Sequence, residues 1–347
     1  MKRIVTLFDE KKRKMAQIQL FCNRFSILGQ APILLLFPGL LFGQSYSYVW
    51  GMHFPALIDP AEVCCFDYDN DSSLDDGLGD FLLTLQAQSN SDFQMGINDA
   101  ILANTLVKAF DWQDMDLSLN SQAFSFRYLD AQILTPDLTL LQRRSGLSEL
   151  ILTPNQTGNI FTASANAGFI NASADEITGL LNLQFDTTGG LTPLTLHNVM
   201  FAATLTDSPM NVEAGIYSND ITATNPEIVG GIKIGGILDS DEFLNVLDSQ
   251  YRSCSCAGVD PNQPLITTQI FLGTIIVSCA QSNLTPENCP LNSFCSTVNN
   301  FCDNAIGLGT TFDIDSDNDG VKESYSVALR LGAAATRIDT IFLHGFE

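Results

Sequence analysis

Phe124-Ser-Phe-Arg-Tyr-Leu129 alternates apolar and polar side chains, the period-two signature of a strand with one face buried. The same habit recurs in Leu147-Ser-Glu-Leu-Ile-Leu152, Leu180-Leu-Asn-Leu-Gln-Phe185 and Val199-Met-Phe-Ala-Ala-Thr-Leu205. Short runs rich in Thr, Ile, Val and Phe lie between them, broken at close intervals by Asn, Gly and Pro. The pattern predicts a mainly β fold, a sandwich or a twisted multi-sheet structure, with a few flanking helices. Three segments carry helical spacing instead. Leu74 to Gln88 sets Leu78, Phe81, Leu82 and Leu85 three and four apart. Asp239 to Tyr251 starts in a capping region and carries Phe243, Leu244 and Leu247. Asn292 to Ala305 includes two cysteines.

Composition narrows the class. The chain has 347 residues, 45% of them hydrophobic and only 16% charged, the opposite of the balance that keeps a chain disordered. Net charge is −23, unevenly placed. Seven of the 16 basic residues precede residue 25 (Lys2, Arg3, Lys11, Lys12, Arg13, Lys14 and Arg24), opposed there only by Asp9 and Glu10. Taking those seven from 16 and the two acids from 39 leaves 9 basic against 37 acidic residues, a net of about −28. Such a surface repels nucleic acid and anionic lipid and suits cations.

The basic start followed by the apolar run Phe25 to Gly43 reads as a signal peptide over residues 1–45. Pro32 and Pro38 interrupt the run, which is too short for a stable membrane span in the mature chain. The expected location is therefore secreted or at the cell surface, or the periplasm. Cysteine parity agrees. With Cys22 in the leader, eight cysteines remain, and six of them crowd into 254–302. In an exported chain this implies disulfides rather than zinc, since the spacing fits no common zinc motif. Adjacent cysteines seldom bond each other, so Cys64 and Cys65 are each expected to bond into the 254–302 cluster. Past the leader, residues 46–235 read as a β-rich body. Residues 236–347 add a helix, the cysteine cluster and a closing strand, and form one unit with the body or a second domain.

Two segments share a spacing. Asp67-Tyr-Asp69-Asn-Asp71-Ser-Ser73-Leu-Asp75 and Asp315-Ser-Asp317-Asn-Asp319-Gly320-Val321-Lys-Glu323 both set carboxylates at positions 1, 3, 5 and 9. Alternate carboxylates in a tight loop aim several oxygens at one point, which is what Ca²⁺ requires. Position 7, Ser73 or Val321, would add a carbonyl oxygen. Gly320 stands where the second loop must turn sharply. Position 12 is Leu78 or Ser326, so neither is a full EF-hand. The second runs into a strand, Tyr325-Ser-Val-Ala-Leu-Arg-Leu331, rather than an exit helix. The expected affinity is weak, roughly 10⁻⁴ to 10⁻³ M. Asp76 and Asp313 flank the loops as substitute ligands.

These stretches resemble an uncharacterised family of exported bacterial proteins with calcium-type loops akin to thrombospondin type-3 repeats. The likeness runs through Asp71-Ser-Ser-Leu-Asp-Asp-Gly-Leu-Gly79, Gly230 to Asp239, Cys254 to Cys302 and Asp315 to Leu331. The chain departs from the pattern at Asn70, Ser72 and Ser316, where Gly is frequent, and at Glu323, where Asp is. The resemblance implies export and calcium and brings no activity.

Nothing in the sequence carries a catalytic constellation. His53, His197 and His344 lack ligand-like neighbours, and neither a G-x-S-x-G elbow nor an H-E-x-x-H motif occurs. The leading expectation is a non-enzymatic structural or adhesive protein whose partner is a surface glycan or another extracellular protein. The alternative is a calcium-dependent extracellular hydrolase acting on polysaccharide or lipid.

Overall fold

The computed structural model describes residues 45–58, 64–89, 93–113, 122–134, 149–153, 156, 159–166, 169–183, 192–204, 232–271, 274–290, 294–308 and 312–338. The expected leader lies outside them except for Ser45, which opens the first strand.

The protein is mainly β, with a few helices, as its alternating segments require. Its strands are β1 (Ser45–His53), β2 (Lys108–Gln113), β3 (Gln122–Ile133), β4 (Glu149–Leu152), β5 (Ile160–Asn166), β6 (Phe169–Leu183), β7 (Thr192–Thr204), β8 (Ile232–Asp239), β9 (Ile266–Phe271), β10 (Thr274–Cys279) and β11 (Ser324–Ile338). The alternation is cleanest in β5, where Phe161, Ala163 and Ala165 are buried between exposed neighbours.

Eight of these strands close into a ring. β1 pairs with β2, β2 with β3, β3 with β5, then β5–β6–β7–β8–β11, and β11 returns to β1, every pair antiparallel. Closure lets each strand satisfy both edges. The interior is packed with rings. Phe126 stacks on Phe161 at 4.6 Å and meets Trp112 at 4.7 Å and Phe201 at 4.9 Å. β4 pairs with β3 and, in parallel, with β11. Its Leu150 and Leu152 bury a smaller second core with Tyr48, Val107, Ala109, Leu129 and Ala131.

The helices are α1 (Pro55–Ile58), α2 (Gly77–Ser89), α3 (Phe93–Leu102), α4 (Ser240–Arg252) and α5 (Val298–Leu308). α2, α4 and α5 answer the three helical segments read from spacing. Asp239 caps α4, its side chain accepting the Glu242 N–H at 3.0 Å. Phe81 of α2 meets Phe243 of α4 at 5.2 Å and Tyr325 of β11 at 5.7 Å. This second aromatic cluster lies beside the start of β11, where the second acidic loop ends.

The cysteine pairing corrects the expectation. The six later cysteines pair among themselves, as Cys254–Cys295, Cys256–Cys289 and Cys279–Cys302. Cys64 and Cys65 pair with each other, both buried against Ala328 of β11. The long tie across the chain does not form because each of the six later cysteines already has a partner within 23 to 41 residues, while Cys64 and Cys65 are packed on β11. The local bonds instead bind the turn after α4, the β9–β10 hairpin and the 294–308 helical segment into one corner. On the chain-entropy account each such loop contributes about 3–4 kcal/mol.

Candidate metal centre

The two acidic loops fold alike. Each is closed by an antiparallel bridge, Phe66 with Asp75 and Ile314 with Ser324. In the second loop, Asp315 accepts the Asp319 N–H on Oδ1 at 3.1 Å and the Gly320 N–H on Oδ2 at 2.9 Å. Asp317 Oδ1 accepts the Asp319 N–H at 3.1 Å, and Asp319 Oδ1 accepts the Val321 N–H at 2.8 Å. The first loop repeats this bond for bond. Asp67 accepts the N–H groups of Asp71 and Ser72 at 3.2 and 3.0 Å, Asp69 that of Asp71 at 3.1 Å, and Asp71 that of Ser73 at 2.8 Å. Position 9 also matches: Asp75 Oδ2 accepts the Tyr68 N–H, and Glu323 Oε1 the Ser316 N–H, both at 2.6 Å.

Backbone dihedrals explain why the chain tolerates so tight a loop. Position 4 is left-handed in both copies, at φ 60° for Asn70 and 62° for Asn318. Position 6 is left-handed too, at φ 75° for Ser72 and 91° for Gly320. Asn tolerates this region and Gly is at ease in it, while Ser pays a steric penalty. The departure at Ser72 therefore leaves the first loop's shape intact at some cost in strain.

Both loops bring carboxylates together. Asp315, Asp317, Asp319 and Glu323 each offer an oxygen within 4.8 Å of the others, and Asp67, Asp69 and Asp71 do the same. Asp75 lies outside the threefold group, its Oδ2 spent on Tyr68. Ser73 and Val321 present their N–H groups to the position-5 carboxylates. The donor set is all oxygen, and Glu323 Oε2 is buried without a hydrogen-bond partner. Such a set fits a hard cation, which would relieve the repulsion of clustered carboxylates. The acidic clusters can thus hold a metal ion.

Ser73 also hydrogen-bonds Asp71 through its hydroxyl, which holds the Asp71 carboxyl below its ordinary pKa. Burial pushes Asp75 upward.

Asp76 and Asp313, the flanking acids, do other work. Asp313 is a strut between the two loop bases. It accepts the Ser326 N–H at 2.7 Å, the Ser326 hydroxyl, and the Gly77 N–H at 3.2 Å. A Cβ on Gly77 would stand 2.2 Å from Asp313 Oδ1, so the close approach needs glycine. Asp76 accepts the Gly79 N–H at 3.2 Å at the start of α2, and burial raises its pKa to about 7. Asp313 ties the bases of the two loops side by side, and Lys322 of the second reaches Asp69 of the first. Spacing alone carried no sign of this juxtaposition, because the loops stand near opposite ends of the sequence.

No protein-family model, curated protein or solved structure matches this chain.

Proposed function

We propose that this is an exported calcium-binding protein of the cell surface or extracellular space, with a structural or adhesive rather than catalytic role. The observation that carries the reading is the repeated loop: two copies, hydrogen-bonded alike, each converging oxygen ligands on one point. Oxygen-only ligands favour calcium over zinc. Asp315, Asp317, Asp319 and Glu323, with the Val321 carbonyl, would hold one ion. Asp67, Asp69 and Asp71 would hold a second, with Asp75 and the Ser73 carbonyl at its margin. Calcium here supplies cross-linking charge, rigidifying one end of the ring where α2 and β11 begin.

Export is supported by the basic–apolar start and by three disulfides in one corner, which persist in oxidising compartments. Among the described residues no helix is long and apolar enough to cross a membrane. The sequence motifs that resemble the exported bacterial family belong to the same reading, and its partner is a surface glycan or another extracellular protein.

Thermal melting in millimolar calcium and in chelator tests it. A ligand that binds only the native state adds about 2.7 kcal/mol at a hundredfold excess over Kd. Chelation should therefore lower Tm by several degrees, and Asp317→Ala should remove most of that response. If wild type and Asp317→Ala melt alike in both buffers, the second loop is an acidic turn and the reading fails there.

A further inference from the structure

We infer that the barrel carries a second, calcium-independent site at one mouth, built on Lys108 and Asp130, for a small neutral polyhydroxy ligand such as the end unit of a glycan. Lys108, Phe110 and Trp112 alternate along β2, so all three point the same way. Phe110 and Trp112 fill the interior, which places the Lys108 side chain inside the ring as well. The same step along β3 carries Tyr128 and then Asp130 inward. Lys108 and Asp130 are register partners, and Nζ lies 2.5 Å from Asp130 Oδ1 and 5.5 Å above the Tyr128 ring.

The burial is unequal. The Lys108 side chain is 6% exposed and that of Asp130 58%. Among the described residues Lys108 is the only buried lysine or arginine. A buried ammonium is costly unless paired, and here the chain keeps one at the rim of a cavity.

Sheet geometry makes that cavity. β3 pairs with β5 only as far as Arg127 with Ile160, and with β4 from Ala131. β4 crosses to the outer core, and β6 bulges between Thr178 and Leu181. The change of partner leaves a pocket of about 350 Å³ between Thr105–Lys108 and Asp130 on one side and Gly179, Asn182 and Pro193 on the other. A Cβ on Gly179 would be only 3.5 Å from Lys108 Nζ, so the ammonium reaches across the mouth. Barrel mouths are a common place for ligands, and this volume suits one small molecule.

The chemistry selects the class. Donor and acceptor stand side by side: an ammonium, and a carboxylate whose Oδ2 is not engaged with Lys108. A vicinal diol matches them, one hydroxyl accepting from Nζ and its neighbour donating to Asp130. Asn182, held by its Nδ2 donating to Gly179 O at 2.9 Å, adds an amide. Leu106, Ala131 and Pro193 give an apolar wall for the C–H face of a sugar ring. The charges of the pair cancel, and the chain's acidic excess disfavours an anion.

Saturation-transfer NMR on the mature chain tests this, with glucose, galactose, mannose and N-acetylglucosamine as probes and with phosphate and acetate as anion controls. Each is run in calcium and in chelator. At least one neutral sugar should bind saturably, and Asp130→Asn and Asn182→Leu should each weaken it about tenfold or more in both buffers. Asp130→Asn leaves the buried Lys108 ammonium without its counter-charge and should lower stability, while Asn182→Leu keeps the pair, so circular dichroism checks both folds and Asn182→Leu carries the test if Asp130→Asn unfolds. Sugar binding that survives chelation stands whether or not the loops bind calcium. Three outcomes overturn the site: no sugar binds, the folded variants bind like wild type, or an anion outcompetes the sugars.

Discussion

Lys322 Nζ, in the second acidic loop, lies 3.6 Å from Asp69 Oδ2, in the first. The two loops are therefore not equivalent despite their shared backbone. The first has three converging carboxylates and a neighbouring cation, the second four carboxylates. Lys322 partly neutralises the first loop and would compete with a metal entering there.

Lys322→Met should raise the calcium affinity of the first loop, by about three- to tenfold at low salt, with the gain fading at high ionic strength. Stability in chelator should change little, because an exposed pair of this kind is worth roughly 0–1 kcal/mol. Titration calorimetry in an Asp317→Ala background isolates the first loop. Equal affinities at low salt would rule out the competition.

Position 6 is the conformational difference between the loops. Gly320→Ala should destabilise the second loop by about 1–2 kcal/mol through backbone strain alone, since nothing lies within 4 Å of the added Cβ. Ser72→Gly should do the reverse, relieving the left-handed strain of the first loop and tightening its calcium binding. The net stability change there should stay below about 1 kcal/mol, as glycine loosens the unfolded chain. Calcium-dependent melting of both variants checks the signs; a Gly320→Ala protein with unaltered response would contradict the strain argument.

His53 sets a pH dependence. Burial first, and the Arg330 charge second, lower its pKa from 6.5 to about 3. Below pH 6.5 the unfolded chain takes up a proton that folded His53 refuses. Its contribution to stability is complete above pH 6.5 and falls with pH by up to about 1.4 kcal/mol per unit, until the folded group titrates near 3. Asp76 works the other way, holding a proton in the fold between its ordinary 3.8 and about 7. The difference between wild type and His53→Gln isolates the histidine. In chelator, the variant should gain stability relative to wild type as pH falls from 7 to 4. A difference independent of pH would refute it.

Peptide mapping of the non-reduced protein should recover Cys254–Cys295, Cys256–Cys289 and Cys279–Cys302, with Cys64 and Cys65 together on one uncrosslinked peptide. Any peptide joining Cys64 or Cys65 to the later cluster would count against this arrangement.

The β class was legible because β3, β4 and β7 write their buried face in alternate residues, and α4 because Asp239 caps an amphipathic run. Ring closure was not legible. The partners that close it, β1 with β11 and β3 with β5, are far apart in sequence or follow an intervening strand, and alternation says which face is buried but not against what. Helix α3 was missed although Phe93, Ile97 and Ile101 recur every four residues, since Gly96, Asn98 and Asp99 mask the run. The loops could be read residue by residue, because a metal-loop motif is local. Asp313 as a strut could not, as its partners Gly77 and Ser326 lie on other segments.

Among the described residues every strand of the ring has two neighbours over part or all of its length, which leaves little unpaired N–H and C=O for another chain. That pairing narrows the usual route by which strands of separate molecules zip together. Among the described residues the β9–β10 hairpin stands apart from the ring as a two-stranded sheet, with Ile270 66% and Phe271 60% exposed near its turn. Cys279–Cys302 fastens the base of that hairpin to α5, and the other two disulfides hold the corner around it. Reducing agents should consequently unmask self-association at this corner well before they unravel the ring.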